Sequence, residues 1–308
     1  MNTNLPLPIA VIMISRNESH NIIHIIENLR GFATEIFLVD SYSTDNTVEL
    51  ALNKGVRVFQ RPFKDFGDQW NFAVSTLPVT QPWTMKLDPD ERITDELKLQ
   101  ISTEIEADAF DAISFPRKLW FMGQELPVKQ FVLRLWRTGI CTFTNSKVNE
   151  HPIISGEEKQ LTGVLEHHDS PNLHHWYEKQ NRYSTAEACI AYTGIGHTAE
   201  PSFFGTSLER KSWLKAVYGH LPFRHILMNI YCLTFLGAWR GGKAGFIWSR
   251  MRADVYRMRE LKRLEMEWQK KSYDVPSNPT MEERVNNNRK QDYVEVRIDC
   301  DGKITAIS

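Results

Sequence analysis

Apolar runs and helical stripes alternate along the first hundred residues. Ile9–Ile14 is an unbroken apolar run, six residues long and bounded by polar positions, which predicts a buried strand. Ser19–Leu29 follows, with Ile22, Ile23, Ile25, Ile26 and Leu29 at helical spacing. Glu35–Val39 predicts a second strand, ending at Asp40. Asn46-Thr-Val-Glu49 pairs a capping residue with an acid three positions later, which opens a helix to Lys54 that stops at Gly55. Val56–Phe59 reads as a third strand, Asp68–Leu77 as a helix, and Trp83–Leu87 as a fourth strand ending at Asp88. Strands alternating with helices of this length predict an α/β chain with a mostly parallel, doubly wound sheet. Ligands of such sheets lie outside the carboxyl ends of the strands, where Asp40 and Asp88 both fall.

From Asp111 to about His168 the pattern loosens, with strand candidates at Ala112–Phe115 and Phe131–Trp136. Asn172–Ala191 reads as helix, and Pro201–Lys271 as helix broken at Gly241-Gly242. Ser272–Pro279 has the composition of a linker. Tyr293–Ile298 and Lys303–Ile307, on either side of Asp299–Gly302, read as a β-hairpin.

The 308 residues are 42% hydrophobic and 11% aromatic, enough for a packed core and too apolar for a disordered chain. A formal net charge of −1 argues against a nucleic-acid partner. Cys141, Cys189, Cys232 and Cys300 form no paired motif and read as reduced thiols of a cytoplasmic protein. Met1–Pro8 carries no Lys or Arg and the apolar run behind it is short, so no secretory signal is expected. In the apolar C-terminal region, His225–Trp239 is the longest stretch without Asp, Glu, Lys or Arg, and it falls short of the ~20 residues that span a bilayer.

The neutral average hides an asymmetry. Residues 1–100 hold nine Lys/Arg against thirteen Asp/Glu, a net −4, whereas residues 205–272 hold fourteen against five, a net +9. The basic segment also carries Trp213, Trp239, Trp248 and Trp268. That mixture suits an anionic membrane surface, with a solvated basic helix face as the plainer account.

Three polar loops follow the first, second and fourth strands. Asp88-Pro-Asp90-Glu91 offers two carboxylates one residue apart, which can turn toward one oxygen-bound Mg²⁺ or Mn²⁺ shared with a phosphate. Asp40, followed by Ser41, Ser43, Thr44 and Asp45, can accept hydrogen bonds from a ribose hydroxyl or a base N–H. Ser43, Thr44 and Asp45 are equally good turn formers and caps. Arg16-Asn-Glu18 supplies the third loop, where Arg16 either meets phosphate or pairs with Glu18.

In order and spacing, Ile12–Glu18, Val39–Asp45, Gly55–Phe59 and Leu87–Arg92 resemble the family 2 glycosyltransferases. The subgroup resembled is that of the lipopolysaccharide-core glucosyltransferases, through Phe66-Gly-Asp-Gln-Trp-Asn71, Val148-Asn-Glu150 and Asn181–Thr185. The resemblance runs over about residues 8–270 and implies a GT-A fold, a Rossmann-like sheet flanked by helices. It implies inverting transfer of a sugar from a nucleotide donor, a UDP-sugar first of all, to a lipopolysaccharide-core, lipid-linked or other surface-glycan acceptor. In that frame Asp40 contacts the nucleoside, and Asp88 and Asp90 are the D-x-D pair, with Asp90 nearest the metal. Arg16, Glu18, Ser43, Gln69, Asn71 and Arg182 join them as substrate contacts. Pro89 departs from the small middle residue of the family, and Asn149 replaces its histidine.

Inversion needs a base to take the acceptor's proton. Glu150, beside His151 and after Lys147 in the acceptor half, is the candidate, and Asp90 is the other catalytic residue expected; the alternative for Glu150 is a salt bridge with Lys147 or Arg134. His167-His168 and His174-His175 read as a polar loop with one histidine near the phosphate rather than a metal centre, because no ligand spacing supports one. Trp120, Phe121 and Trp136 either stack on an acceptor sugar or belong to the core. Arg182 and Tyr183 either border the site or pack their helix.

The expected organisation is a catalytic unit over 1–200, whose nucleotide-sugar half is 1–110 and acceptor half 111–200. A membrane-surface helical segment over 201–272 and a linker with hairpin tail over 273–308 complete it. The expected location is cytoplasmic, on the inner face of the cytoplasmic membrane. Two other readings stay open. A nucleotidyltransferase would place acids at the same strand ends, although Ile14–Glu18 lacks the glycine-rich phosphate loop. A sugar-nucleotide-binding module without catalysis is the other, against which the intact Asp88, Asp90 and Glu150 argue.

Overall fold

The computed structural model describes residues 5–144, 150–193, 202, 204, 210, 213, 224–273, 292–299 and 301–307. Strands β1 (Leu7–Ser15), β2 (Ala33–Asp40), β3 (Arg57–Gln60) and β4 (Trp83–Lys86) run parallel in the order β3-β2-β1-β4. Helices α1 (Ser19–Leu29), α2 (Thr47–Asn53) and α3 (Phe66–Thr76) occupy the crossovers. The apolar run of β1 follows from its central place, since alternate side chains enter opposite layers. Ile9, Val11 and Met13 pack with Ile22, Ile25 and Leu29 of α1, while Ala10 and Ile12 pack with Trp70 and Ala73 of α3.

The sheet is mixed beyond β4. A long hairpin of β6 (Ala112–Phe121) and β7 (Gln124–Arg137) lies antiparallel beside β4. Met122 and Gly123, both at positive φ (52° and 70°), close it as a two-residue turn that matches the strand twist. The strand candidate at 112–115 is a buried inner end of the hairpin, and that at 131–136 becomes buried only from Arg134 to Trp136, with Phe131 exposed. Its outer parts are largely exposed or half-buried, so no long apolar pattern marks them. The expected mostly parallel sheet is therefore parallel over β3-β2-β1-β4 and mixed after it.

Short strands β5 (Glu91–Ile93) and β11 (Leu165–His168) pair antiparallel at the far edge, and β11 also lies parallel to β6. β8 (Cys141–Phe143) and β9 (Pro152–Ile154) form a separate pair, and β10 (Glu158–Gln160) pairs with β6.

Helix α4 (Asp95–Ala107) occupies a stretch for which the apolar pattern predicts no element. Only Leu97 and Ile101 of it are buried, a stripe too thin to register as periodicity. Its start is legible after the fact: Thr94 caps Leu97 N–H, and Asp95 and Glu96 fill the first turn. At α2 the expected cap Asn46 makes no side-chain cap bond. Asp45 accepts from the Thr47 N–H instead, at 3.0 Å.

Helices α5 (Leu173–Thr193), α6 (Arg224–Thr234) and α7 (Gly242–Gln269) follow, with a 3₁₀ turn at Ala238–Gly241. The helical break spans Phe235–Gly241, with Gly237 left-handed (φ 71°), and Gly242 already starts α7. Most of 201–223, the linker at 274–279 and Cys300 lie outside the described residues. Phe121 and Leu126 of the β6–β7 hairpin form a core with Trp176, Cys232, Trp248 and Met251 of the three helices. Gly245 is required there, because a Cβ would stand 1.8 Å from the Ala238 carbonyl oxygen. Cys141, Cys189 and Cys232 are buried free thiols.

β12 (Val294–Ile298) and β13 (Ile304–Ala306) form the expected hairpin. β12 pairs antiparallel with β3, so the hairpin extends the central sheet on the side of Asp40. Tyr293 rests on Phe72 and Phe59, at centroid distances of 4.9 and 6.3 Å. No helix among the described residues is long and apolar enough to cross a membrane.

Candidate active site

The loops after β1 and β2 are stitched together at the carboxyl edge of the sheet. Asn17 N–H donates to Ser43 Oγ at 2.8 Å, Thr44 N–H to Asn17 Oδ1 at 2.8 Å, and Glu18 N–H to Thr47 Oγ1 at 2.8 Å. Asp45 Oδ2 accepts the Ser19 N–H at 3.1 Å, so one side chain serves the starts of both α1 and α2. Burial would raise the Asp45 pKa, but the bonds from Thr47 and Ser19 outweigh it and hold the group below the usual carboxylate range. Asn17 and Tyr42 sit at positive φ (57° and 55°), a cost the cross-links sustain. The turn formers Ser43, Thr44 and Asp45 thus do loop-to-loop work.

Asp40 is fully buried. It accepts from Ser15 Oγ at 3.0 Å, Ser43 N–H at 2.8 Å, Ser43 Oγ at 2.5 Å and Gln60 Nε2 at 3.0 Å. Arg16 lies at the mouth of the same loop, exposed. Its pKa is lowered by partial burial and by the charge of Arg182, against the pull of Asp40. Arg16, after β1, and Arg182, on α5, are thus two exposed guanidinium groups near enough to repel one another.

The carboxylates of the Asp88–Glu91 turn point different ways. Asp88 Oδ2 accepts from Arg134 Nη2 at 3.0 Å. Glu91, fully buried, accepts from Arg134 Nη2 at 2.7 Å, Arg117 Nη1 at 3.3 Å and the Asp88 N–H at 3.0 Å. Burial opposes the charge on Asp88, yet Arg134 and Lys86 outweigh it and lower its pKa. Lys86, under Asp88, donates to Glu150 Oε1 at 2.5 Å and lies 4.2 Å from the Trp70 ring centroid. The partner of Glu150 is thus Lys86. Lys147 and Asn149 lie outside the described residues.

Asp90 faces the opposite wall. Its Oδ2 lies 3.3 Å from His167 Nε2 and 3.2 Å from Lys179 Nζ, and Lys179 also donates to Asp169 Oδ1 at 3.0 Å. Burial would raise the Asp90 pKa, but Lys179 and His167 depress it strongly. The reciprocal effect raises Lys179: Asp90 and Asp169 overcome a burial that would lower it. Glu18 looks onto the same acids, and burial followed by the charge of Asp90 pushes its pKa up to about 7.

A divalent cation fits this wall. Asp90, His167 and Asp169 can each present a ligand atom, all within 4.8 Å of one another. Asp90 Oδ1 is buried and accepts no hydrogen bond, so this carboxylate keeps an unpartnered oxygen while Oδ2 meets His167 and Lys179. One imidazole nitrogen with two carboxylates suits Mn²⁺, and Mg²⁺ with water completing its shell. Asp88 is not part of the group.

Sequence reasoning missed Asp169 and Lys179 and left His167 in a polar loop. Strand pairing brings His167 in: β11 sets it opposite Glu91, and His168 N–H donates to the Asp90 carbonyl at 2.8 Å. Lys179 carried a signal, since it precedes Arg182 and Tyr183 by three and four residues on α5 and shares their face. The other face of Asn181–Thr185 is held from α7. Lys262 Nζ donates to Asn181 Oδ1 at 2.7 Å, Ser184 Oγ at 2.9 Å and Thr185 Oγ1 at 2.7 Å.

Gln69 and Asn71 sit deeper than the loops. Gln69 is fully buried and bridges Arg61, at 3.2 Å, to Ser41 Oγ at 3.3 Å. Asn71 grips the backbone of Phe143 at 2.8 and 2.9 Å. Phe121 and Trp136 are core residues, while Trp120 stacks on His168 at 5.1 Å.

Residues 10–151 match the family model described as Glycosyl transferase family 2. An uncharacterized glycosyltransferase of Rickettsia prowazekii is 25% identical over 197 residues, covering 58% of this chain and 66% of that protein, just under two thirds of its length. The lipopolysaccharide core biosynthesis glycosyltransferase LpsC of Rhizobium meliloti is 28% identical over 254 residues, covering 78% of this chain and 86% of that one. Among solved structures, S. aureus TarS 1-349 in complex with UDP-GlcNAc is 14% identical, covers 97% of this chain and 96% of its own, and has a TM-score of 0.40. Glucosyl-3-phosphoglycerate synthase of Mycobacterium tuberculosis with Mn²⁺ and UDP is 18% identical over 35% of this chain and 43% of its own, at a TM-score of 0.30. The nucleotidyltransferase reading gives way to the family match. Residues 10–151 therefore carry the match to glycosyl transferase family 2, on an α/β sheet with the strand-end motifs through which the sequence resembles that family.

Proposed function

We propose that this enzyme moves a sugar from a UDP-sugar to a lipopolysaccharide-core or lipid-linked glycan acceptor, with inversion and with the help of a divalent cation. The observation that carries the reading is the group of Asp90, His167 and Asp169, in which Asp90 keeps a buried oxygen without a hydrogen bond, beside the stitched loops that hold Asp40 and Glu18. Mg²⁺ or Mn²⁺ bound by these three residues would supply neutralisation of the leaving diphosphate. The cations Arg16 and Arg182 bind the donor's phosphates, and the Asp40 loop receives the nucleoside. The lipopolysaccharide-core role in the name of the Rhizobium relative supports the acceptor class.

Glu150 takes the acceptor's proton in this reading. Lys86 fixes one of its oxygens, which leaves the other to meet a hydroxyl on the face opposite the leaving group.

The reading extends to an anionic membrane surface, on which lipid-linked acceptors are presented. Its support is the exposed apolar face of α6, where Ile226, Leu227, Ile230 and Tyr231 are each more than 40% exposed. Phe235 is 82% exposed just beyond it, and Arg240 stands over the Trp239 ring at 5.6 Å. Sedimentation with anionic liposomes should fall at high salt and with Ile230→Glu; binding indifferent to both removes the membrane from the reading.

The central experiment is a panel of nucleotide sugars with Mn²⁺ or Mg²⁺, scored for donor binding, donor hydrolysis and transfer. Wild type should bind a UDP-sugar, and Asp90→Asn should lose metal-dependent binding. Glu150→Gln should keep donor binding while transfer falls about 10²–10⁴-fold. No binding of any nucleotide sugar, or full transfer by Asp90→Asn, would overturn the proposal.

A further inference from the structure

Lys179 stands between the two carboxylates of the candidate metal group. Its Nζ lies 3.2 Å from Asp90 Oδ2, 3.0 Å from Asp169 Oδ1 and 3.2 Å from the Asp169 carbonyl oxygen. An ammonium has three protons, and these three partners use all of them. The same carboxylates, with His167, are the ligands a divalent cation would take. Two cations held by the same pair of carboxylates in a mostly buried site repel one another and compete for their charge.

The charges make the consequence definite. Asp90, Asp169 and Lys179 together carry one net negative charge, which does nothing to attract a diphosphate. With a divalent ion added the group carries one net positive charge. The ammonium, once freed of its carboxylates, has protons to give. Its stem is flexible enough to turn, and on the same face of α5, three residues on, stands Arg182, whose charge is felt by Arg16 on the loop after β1.

We propose that Lys179 is the resident cation of the donor site: it holds Asp90 and Asp169 in the donor-free enzyme, competes with the divalent ion for them, and turns to the donor's diphosphate when that ion is seated. The inference rests on the metal-assisted reading above and adds a coupling to it. The divalent ion and the nucleotide diphosphate each bind weakly alone and strengthen one another, because each relieves the cost that Lys179 imposes on the other.

Mn²⁺ binding followed by electron paramagnetic resonance, without and with UDP, tests this independently of turnover. The proteins are wild type, Lys179→Met, Lys179→Gln and Lys179→Arg, each checked by circular dichroism. Two neutral variants are used so that a folding defect in one does not decide the result. Without UDP the neutral variants should bind Mn²⁺ about tenfold more tightly than wild type, and Lys179→Arg should stay close to wild type. UDP should strengthen Mn²⁺ binding in wild type and much less in the neutral variants. Neutral variants that bind Mn²⁺ no more tightly than wild type overturn the competition. An equal UDP effect in all four proteins overturns the turn toward diphosphate. If none binds Mn²⁺ even with UDP, the metal reading of Asp90, His167 and Asp169 falls together with this inference.

Discussion

Arg134 Nη2 lies 2.7 Å from Glu91 Oε1, with both side chains buried in the floor of the site. The same nitrogen reaches Asp88 Oδ2 at 3.0 Å, so one guanidinium fixes two of the three acids in the turn after β4. Removing it leaves buried Glu91 to the longer Arg117 contact at 3.3 Å, the costly direction for an ion pair in low dielectric. Arg134→Met should lose about 3–5 kcal/mol of stability in chemical denaturation. Adding Glu91→Gln should restore part of that, and strictly additive losses would argue that the two do not interact.

Glu18 gives the stability of the site a pH dependence of defined sign. Its pKa rises from 4.5 to about 7 on folding, so between those values the native state holds a proton that the unfolded chain has lost. Stability from this group therefore falls as pH rises through that window and is flat above it. Glu18→Gln, measured in chelator, should stabilise the protein at pH 8 by at most ~3 kcal/mol and leave it unchanged at pH 4. A gain equal at both pH values would remove the account.

Lys262 ties α7 to α5 behind the residues that face the donor loops. Lys262→Met should cost about 1 kcal/mol in thermal or chemical unfolding through its lost hydrogen bonds. It should also weaken UDP binding, because Lys179, Arg182 and Tyr183 ride on the same helix. Unaltered UDP affinity would show that α5 holds its place without this anchor.

Gly245 lets the N-terminal turn of α7 close on the 3₁₀ turn before it. Gly245→Ala must move one of the two, since the added carbon would overlap the Ala238 carbonyl oxygen. A loss of about 1–3 kcal/mol is expected, with exposure of the Trp248 core visible in tryptophan fluorescence. A gain in stability, the usual result of Gly→Ala in a helix, would show the contact is not tight.

The C-terminal hairpin secures the edge of the sheet nearest Asp40. Arg57 pairs with Glu295 at 2.9 Å, half-exposed, and buried Arg61 reaches Asp292 at 2.9 Å while also holding Gln69. Charge reversal at Glu295 should cost less than ~1 kcal/mol, as exposed pairs do. Tyr293→Ala, which uncovers Phe59 and Phe72, should cost several times more. The reverse order would mean that charge, not packing, docks the hairpin.

Much of the donor half was legible before folding. The apolar run of β1 could only be a strand buried on both faces, and the acids after β2 and β4 could only fall at one edge of a parallel sheet. Local periodicity carries that information because each element's pattern is written in consecutive residues. Helix α4 escaped because it buries two side chains, and the β6–β7 hairpin was cut short because its outer half is exposed.

What the sequence by itself determined is the order of elements, the family motifs and the presence of acids at the strand ends. Only the tertiary structure decided their partners. Asp88 and Asp90 look equivalent one residue apart, yet a turn sends one to Arg134 and the other to His167 and Lys179. Gln69 and Asn71 lie in a motif but serve Arg61, Ser41 and Phe143. The hairpin at the end of the chain shows its strands in sequence, but not that β12 completes the sheet beside β3. The physical reason is common to all of these. Periodicity reports which side of an element faces inward, whereas strand register and helix docking decide what stands there to meet it.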